Sequence, residues 1–161
     1  MKLAHLVVIR VFAKEEEDYA KIIEKLRFLV PFNLEEEKIL LKESIAEGFN
    51  NKKIRIAELR IEKTTLINSF LKRLSSMLND KQVEMLLRDA EKRIDENLDF
   101  CMRLDKKRLL EKNECWITDS GECYHIRISI AAFPKKIKNA LEVLNQIFTK
   151  ENQKQQADMQ K

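Results

Sequence analysis

The sequence predicts an α+β domain with a mainly antiparallel sheet and helices packed on it, and three observations carry that reading. Segments whose apolar residues alternate in steps of two are interleaved with segments repeating every three to four. Hairpins and strand pairs, rather than single strands, alternate with the helices. Only 2 glycines and 2 prolines occur in 161 residues, which leaves no room for a Pro-rich linker. One domain over residues 1–150 is expected, in the order β-α-β-β-α-α-β-(short α)-β-β-α.

Residues 3–12 are rich in β-branched side chains and apolar on both faces, the pattern of a central strand covered on both sides. The acids Glu15, Glu16, Glu17 and Asp18 then open a helix with Tyr19, Ile22, Ile23, Leu26 and Val30 on one face, stopped by Pro31. Residues 38–46 and 53–62 are strand-like, joined by a polar hairpin loop at 47–52. In the second of these strands the apolar phase slips from Ile54 and Ile56 to Ala57, Leu59 and Ile61, which suggests a bulge. Leu66, Ile67, Phe70, Leu71, Leu74 and Leu78 mark a second helix. Asn79 and Asp80, followed by Gln82 and Glu84, read as the capped start of a third, with Val83, Leu86, Leu87, Ala90 and Ile94 inward.

Clean alternation returns in Leu98, Phe100, Met102 and Leu104, and again in Tyr124, Ile126, Ile128, Ile130 and Ala132. Trp116 and Ile117 suggest a shorter strand turning at Asp119, Ser120 and Gly121. A last helix carries Ile137, Leu141, Leu144 and Phe148. From 151 to 161 the composition collapses to Gln, Asn and Lys, and a disordered tail is expected there.

Several chemistries are disfavoured. His5 and His125 are the whole imidazole supply, and neither stands in a catalytic motif. Cys101, Cys115 and Cys123 include no C-x-x-C pair, and with His125 they fit no zinc spacing. Asp95, Asp99 and Asp105 could suggest a two-metal site, but Arg103 between two of them reads more simply as a salt-bridge ladder. Gly48 and Gly121, the only glycines, cannot build a phosphate loop or dinucleotide fingerprint. No enzyme, cofactor or metal is expected. The first 13 residues lack the features of a signal peptide, and no run approaches a membrane span. A cytoplasmic protein with reduced thiols is expected.

The positive signal is electrostatic. Charged residues make up 36% of the chain, yet the net charge is only +4, so local patches matter more than the total. The positive end of a helix dipole favours acids in the first turn, and two helices violate this. One begins Asp105, Lys106, Lys107, Arg108; the other begins Phe133, Pro134, Lys135, Lys136, Ile137, Lys138, with Pro134 suited to the first helical position. Free N–H groups, a dipole and basic side chains together suit a phosphate. Arg103, Arg127, His125 and Arg60 project opposite the apolar strand residues, onto a sheet face that helices on one side would leave open. Phe100 and Tyr124 face inward by the same phase, so any contact with RNA would rest on phosphate more than on stacking.

Three stretches resemble a small archaeal RNA-binding family, described as predicted exosome subunits. The run from Arg93 through Asp95, Glu96, Leu98, Phe100, Arg103, Leu104 and Asp105 to Lys106 is similar to its R-x-D-E-x-L-x-F-x-x-R-L-D-K signature. The opening His5 to Ala13 and the block His125 to Lys136 are also similar to it. The resemblance implies the fold of the ribosomal protein that binds 5S ribosomal RNA, and it implies RNA binding. Where the family carries a G-x-x-G-N-P turn, this chain has Gly48, Phe49, Asn50, Asn51, Lys52 and Lys53. The expected function is non-catalytic RNA binding in RNA processing or degradation, with exosome or ribosomal components as partners. Phosphate contacts are expected from Lys106, Lys107, Arg108, Lys135, Lys136 and Lys138, sheet-face contacts from Arg103 and Arg127, and loop contacts from Lys52 and Lys53. The rival reading is a protein–protein adaptor whose surface charges only solubilise it.

Overall fold

The structure, a computed structural model, describes residues 1–149, so the expectation for the tail lies outside the described residues. The elements run β1 (Ala4–Lys14), α1 (Tyr19–Phe28), β2 (Lys42–Glu47), a 3-10 turn (Phe49–Asn51) and β3 (Lys53–Ile61). They continue with α2 (Thr64–Met77), α3 (Asp80–Arg88), α4 (Ala90–Arg93), β4 (Asp99–Asp105), α5 (Lys106–Lys112), β5 (Cys123–Ile130) and α6 (Ile137–Phe148). The five strands form one sheet in the order β2-β3-β1-β5-β4, every neighbouring pair antiparallel. The α+β layout is the one expected.

A single core explains which residues face where. Ala4, Val7, Ile9 and Val11 of β1, Ala57, Leu59 and Ile61 of β3, and the alternating apolar residues of β4 and β5 share one buried cluster. The inward faces of the helices join it through Ile22, Leu26, Ile67, Phe70, Leu86, Leu144 and Phe148. Phe100 and Phe148 are fully buried with ring centroids 6.0 Å apart and planes tilted by 47°, which seats the end of α6 on the sheet. Tyr124 is buried in the same core four residues along β5 from the partner of Phe100, its hydroxyl donating to the Ile22 carbonyl at 2.8 Å.

Two strands differ from expectation, and the differences belong together. β1 is not covered on both faces: Arg10, Phe12 and Lys14 are exposed, while Val8 is buried yet stands outside the core cluster. β3 carries no bulge, because its register with β1 is unbroken from Val7↔Ile61 to Lys14↔Ile54. The phase slip is instead a change of face. Ile54 and Ile56 stand with Phe12 on the side away from the helices, and Ala57, Leu59 and Ile61 stand in the core. The irregularity in this part of the sheet lies in β1, between Ala4 and Leu6 where it pairs with β5.

Helix boundaries moved for identifiable reasons. Asp18 caps α1 by accepting from the Lys21 amide at 3.2 Å, so Glu15, Glu16 and Glu17 fall in the preceding turn, not in the helix. Asn79 caps α3 as expected, accepting from the Gln82 amide at 2.9 Å. The periodic stretch beyond it breaks at Asp89, and Ala90–Arg93 forms a separate turn of helix. α6 starts at Ile137, so Pro134 is not its first residue; Lys135 and Lys136 precede the helix and Lys138 lies in its first turn. Among the described residues no helix is long and apolar enough to cross a membrane.

The expected strand at Trp116 and Ile117 is a single bridge, Leu104↔Ile117, on the outer edge of β4. Asp105 N–H donates to the Trp116 carbonyl at 2.7 Å and Thr118 N–H to the Arg103 carbonyl at 2.9 Å. The segment's other side is held by a side chain. Gln82, only 7% exposed, donates to the Cys115 carbonyl at 3.2 Å and accepts from the Ile117 amide at 2.8 Å. One carboxamide thus stands in for a neighbouring strand. Gln82→Ala strands a buried donor and a buried acceptor, each costing about 1–3 kcal/mol. Urea unfolding should therefore show a loss of about 2–4 kcal/mol, whereas a loss within experimental error would mean that water takes over both bonds.

Candidate nucleic-acid interface

The face of the sheet away from the helices is where the strand residues opposite the core must go. Register places Lys42, Glu58, Arg10, His125 and Arg103 in one row across all five strands. The adjacent row holds Arg60, Val8, Arg127 and Cys101. Val8 is covered there although no helix reaches it, flanked in register by the stems of two arginines. Beyond the first row come Ser44, Ile56 and Phe12 on three successive strands. Four arginines thus share a surface with one histidine and an apolar strip.

Partners are few on this face. Arg10 donates through Nε and Nη2 to one Glu58 oxygen at 2.9 and 2.6 Å. Arg60 stands 3.7 Å from Glu62, and Arg103 reaches only the Asp119 carbonyl at 3.4 Å. The Arg127 Nε is buried with no hydrogen-bond partner among the described residues. His125 registers the resulting field. Burial first, and then the charges of Arg103, Arg10 and Arg127, hold its pKa below the ordinary histidine value. The imidazole is therefore neutral at physiological pH.

The other expected contacts are scattered. Lys52 and Lys53 are exposed at the β2–β3 turn, beside Phe49, which is 95% exposed. Asn50 and Asn51 take φ of 62° and 59° there, a region that asparagine tolerates. The Lys53 amide donates to Glu15 at 2.9 Å, tying this turn to the end of β1. Lys107 is exposed on α5. Arg108 is engaged on the same helix, its guanidinium 4.1 Å from the Trp116 ring centre and 3.8 Å from Glu114. Lys135, Lys136 and Lys138 are exposed about the start of α6, where no side chain caps the helix. Because β4 and β5 are antiparallel, the chain enters α5 and leaves for α6 from opposite ends of the sheet. The two lysine-bearing turns do not make one site.

Lys106 requires a correction. It is 4% exposed, and its ammonium donates to the Phe12 carbonyl at 2.5 Å and to Glu17 at 3.2 Å, with Glu122 at 3.9 Å. The α5 N-terminus is closed as well, since the Asp105 carboxylate accepts from the Arg108 amide at 3.1 Å. The cation that looked misplaced is paired with an acid 89 residues away in the chain. That acid comes from the run expected to sit in α1.

Sequence reasoning missed Arg10 and Phe12. Both lie on the strand read as covered on both sides, and the signal available was the break in its apolar run at Arg10, two residues before an aromatic. All three cysteines are unpaired. Burial raises the Cys101 and Cys123 thiols and pushes Cys115 to about 11, so the thiols stay protonated at neutral pH. Among the described residues no group of three or more His, Cys, Asp and Glu could hold a metal ion.

Comparison with known proteins gives the family and the fold. A family model described as RNA binding matches residues 6–131, and the chain belongs to that family. It is 29% identical over 133 residues to the RNA-binding protein PAB1135 of Pyrococcus abyssi, covering 83% of this chain and 86% of that one. The crystal structure of protein AF2318 from Archaeoglobus fulgidus shares the fold at a TM-score of 0.78 and 24% identity, over 89% of this chain and 99% of the other. Mth689 of Methanothermobacter thermautotrophicus shares it at 0.73 and 24%, over 91% and 98%.

Two outcomes test the electrostatics. Lys106→Glu places an acid beside Glu17 and Glu122 and should cost about 3–5 kcal/mol in urea unfolding, as breaking a buried pair does. Lys107→Glu, exposed one residue on, should stay within about 0.5 kcal/mol; equal effects would refute the inward role of Lys106. For His125, the unfolded state binds the proton more tightly than the folded one. Stability is then fully present above about pH 6.5 and lost as pH falls toward the lower folded-state value. His125→Gln should flatten that acid limb, and an unchanged limb would place the titration elsewhere.

Proposed function

We propose that this member of the RNA-binding family holds RNA against the open face of its sheet and does no chemistry on it. The observation that carries this is the row of Arg10, His125 and Arg103 with Arg127 beside it, on a face that no helix covers among the described residues. Among the described residues the buried Arg127 Nε has no partner, and the histidine is held neutral by burial and then by its cationic neighbours. A polyanion laid there would offset the crowded positive charge, and its phosphate oxygens would accept from the exposed Arg103 guanidinium. Lys52 and Lys53 would extend the contact at one end, and Lys135, Lys136 and Lys138 would offer a separate phosphate contact near α6.

The finer reading is action in RNA processing or degradation beside exosome or ribosomal components, in the cytoplasm, on the ribosomal-protein-like fold that the sequence resemblance implies. It is supported by the similarity of the segments around Arg93 to Lys106 and His125 to Lys136.

The test is a binding isotherm against a short single-stranded RNA at low and high salt. Affinity should fall steeply as salt rises. Arg103→Gln and Arg127→Gln should each weaken binding and make the log-log salt slope shallower by about 0.7, the share of one phosphate contact on a single strand. Lys21→Gln on α1 and Lys72→Gln on α2, both exposed on the helix side, serve as controls and should change neither quantity. Absence of RNA affinity at low salt would return this face to the adaptor reading.

A further inference from the structure

We infer that the hollow at the Phe12 end of the open face receives one unpaired nucleobase, so that the protein takes single-stranded in preference to duplex RNA; this rests on the reading that the open face binds RNA. The hollow holds about 540 Å³, and its lining includes Phe12, Ile54, Cys123 and His125 together with Arg10 and Arg103. That volume falls in the range of sites for small planar ligands, about 300–1,000 Å³. An apolar hollow on a surface otherwise set with arginines is the informative contrast, since phosphate contact alone needs no such floor.

The floor follows from the unbroken β3 register. With no bulge, Ile54 and Ile56 arrive beside Phe12 on the side away from the core. Phe12 keeps 51% of its surface exposed, so its ring has a face left to offer. Its backbone is held from beneath, because the buried Lys106 ammonium donates to the Phe12 carbonyl at 2.5 Å. The strand that carries the ring is therefore tied down at this point before a ligand arrives.

Charge complementarity selects the occupant. A base enters with a phosphate on either side, and Arg10 and Arg103 in the lining supply cations to meet that charge. The carboxylate in the lining, Glu122, is neutralised by its ion pair with Lys14. His125, neutral, presents one ring nitrogen as donor and the other as acceptor, which suits the edge of a base. A base inside a duplex has both faces stacked and cannot use the Phe12 ring, whereas an unpaired one can.

Binding of the full chain is measured to three labelled probes: a short oligouridylate, the same strand annealed to oligoadenylate, and an abasic ribose-phosphate oligomer. The single strand should bind more tightly than the other two. Phe12→Ala should weaken oligouridylate binding about tenfold, the scale of one lost stacked base, while leaving its salt slope and the duplex affinity unchanged. Phe12→Trp should keep the affinity. Since Phe12 is half exposed, a circular dichroism spectrum matching the parent is expected of both variants. Equal affinity for single strand and duplex, or an oligouridylate affinity that Phe12→Ala leaves untouched, overturns the base hollow. The RNA-face reading survives that result if Arg103→Gln and Arg127→Gln still flatten the salt slope. If the parent chain binds none of the probes at low salt, both fall together.

Discussion

Burial on one side only is the constraint from which the rest of this molecule follows. The helices join the sheet through a single apolar cluster, so every strand residue pointing the other way must be satisfied without a covering layer. A protein of this size cannot leave a five-stranded apolar face in water. The chain meets the demand with long cationic side chains whose stems shelter what apolar surface remains, as at Val8 between Arg60 and Arg127. The same choice concentrates positive charge, which adds to burial in lowering the His125 pKa, and leaves the Arg127 Nε short of an acceptor among the described residues. Covering the sheet and charging its surface are two aspects of one arrangement.

A second constraint fixes one end of that surface. Lys106 joins three separate parts of the chain: the carbonyl of Phe12 in β1, Glu17 in the turn before α1, and Glu122 at the threshold of β5. Glu122 in turn pairs with Lys14. An ammonium enclosed in this way costs several kcal/mol to desolvate, and oxygen ligands on three sides repay it. The opposite helix start, at α6, has no comparable tie: Lys135, Lys136 and Lys138 stand in water. Two lysine-rich turns that look alike as strings of letters therefore do different work, one structural and one open to a ligand.

Much of the fold was legible in the sequence because it rests on local period and local caps. Alternation in β4 and β5, the periodic run of α2 and the Asn79 cap each need only a few neighbouring residues. What escaped was nonlocal. A strand that changes its apolar face and a strand with a bulge leave the same phase slip, and only the β1 partner distinguishes them. A strand apolar on both faces reads as doubly covered whether helices or arginine stems do the covering. The pairing of Lys106 with Glu17 spans 89 positions and leaves no periodic trace. Of the candidate site, Arg103 and Arg127 were visible from strand phase, while Arg10 and Phe12 were hidden inside a segment judged too apolar to be a surface.

The carboxamide of Gln82 carries a last implication, for the order in which parts of the molecule loosen. Residues 115–117 look like loop by every local measure, with one bridge to β4 and no regular ladder. Yet the Ile117 amide is bound by a side chain rooted in α3 and shielded from solvent. Its proton can exchange with water only when that carboxamide withdraws, so the rate reports on the helix and not on the loop. Asp105, at the far end of β4, donates its amide to Trp116 in the same segment. The edge of the sheet, the loop and α3 are thus tied together by hydrogen bonds, although the chain visits them in three separate passages.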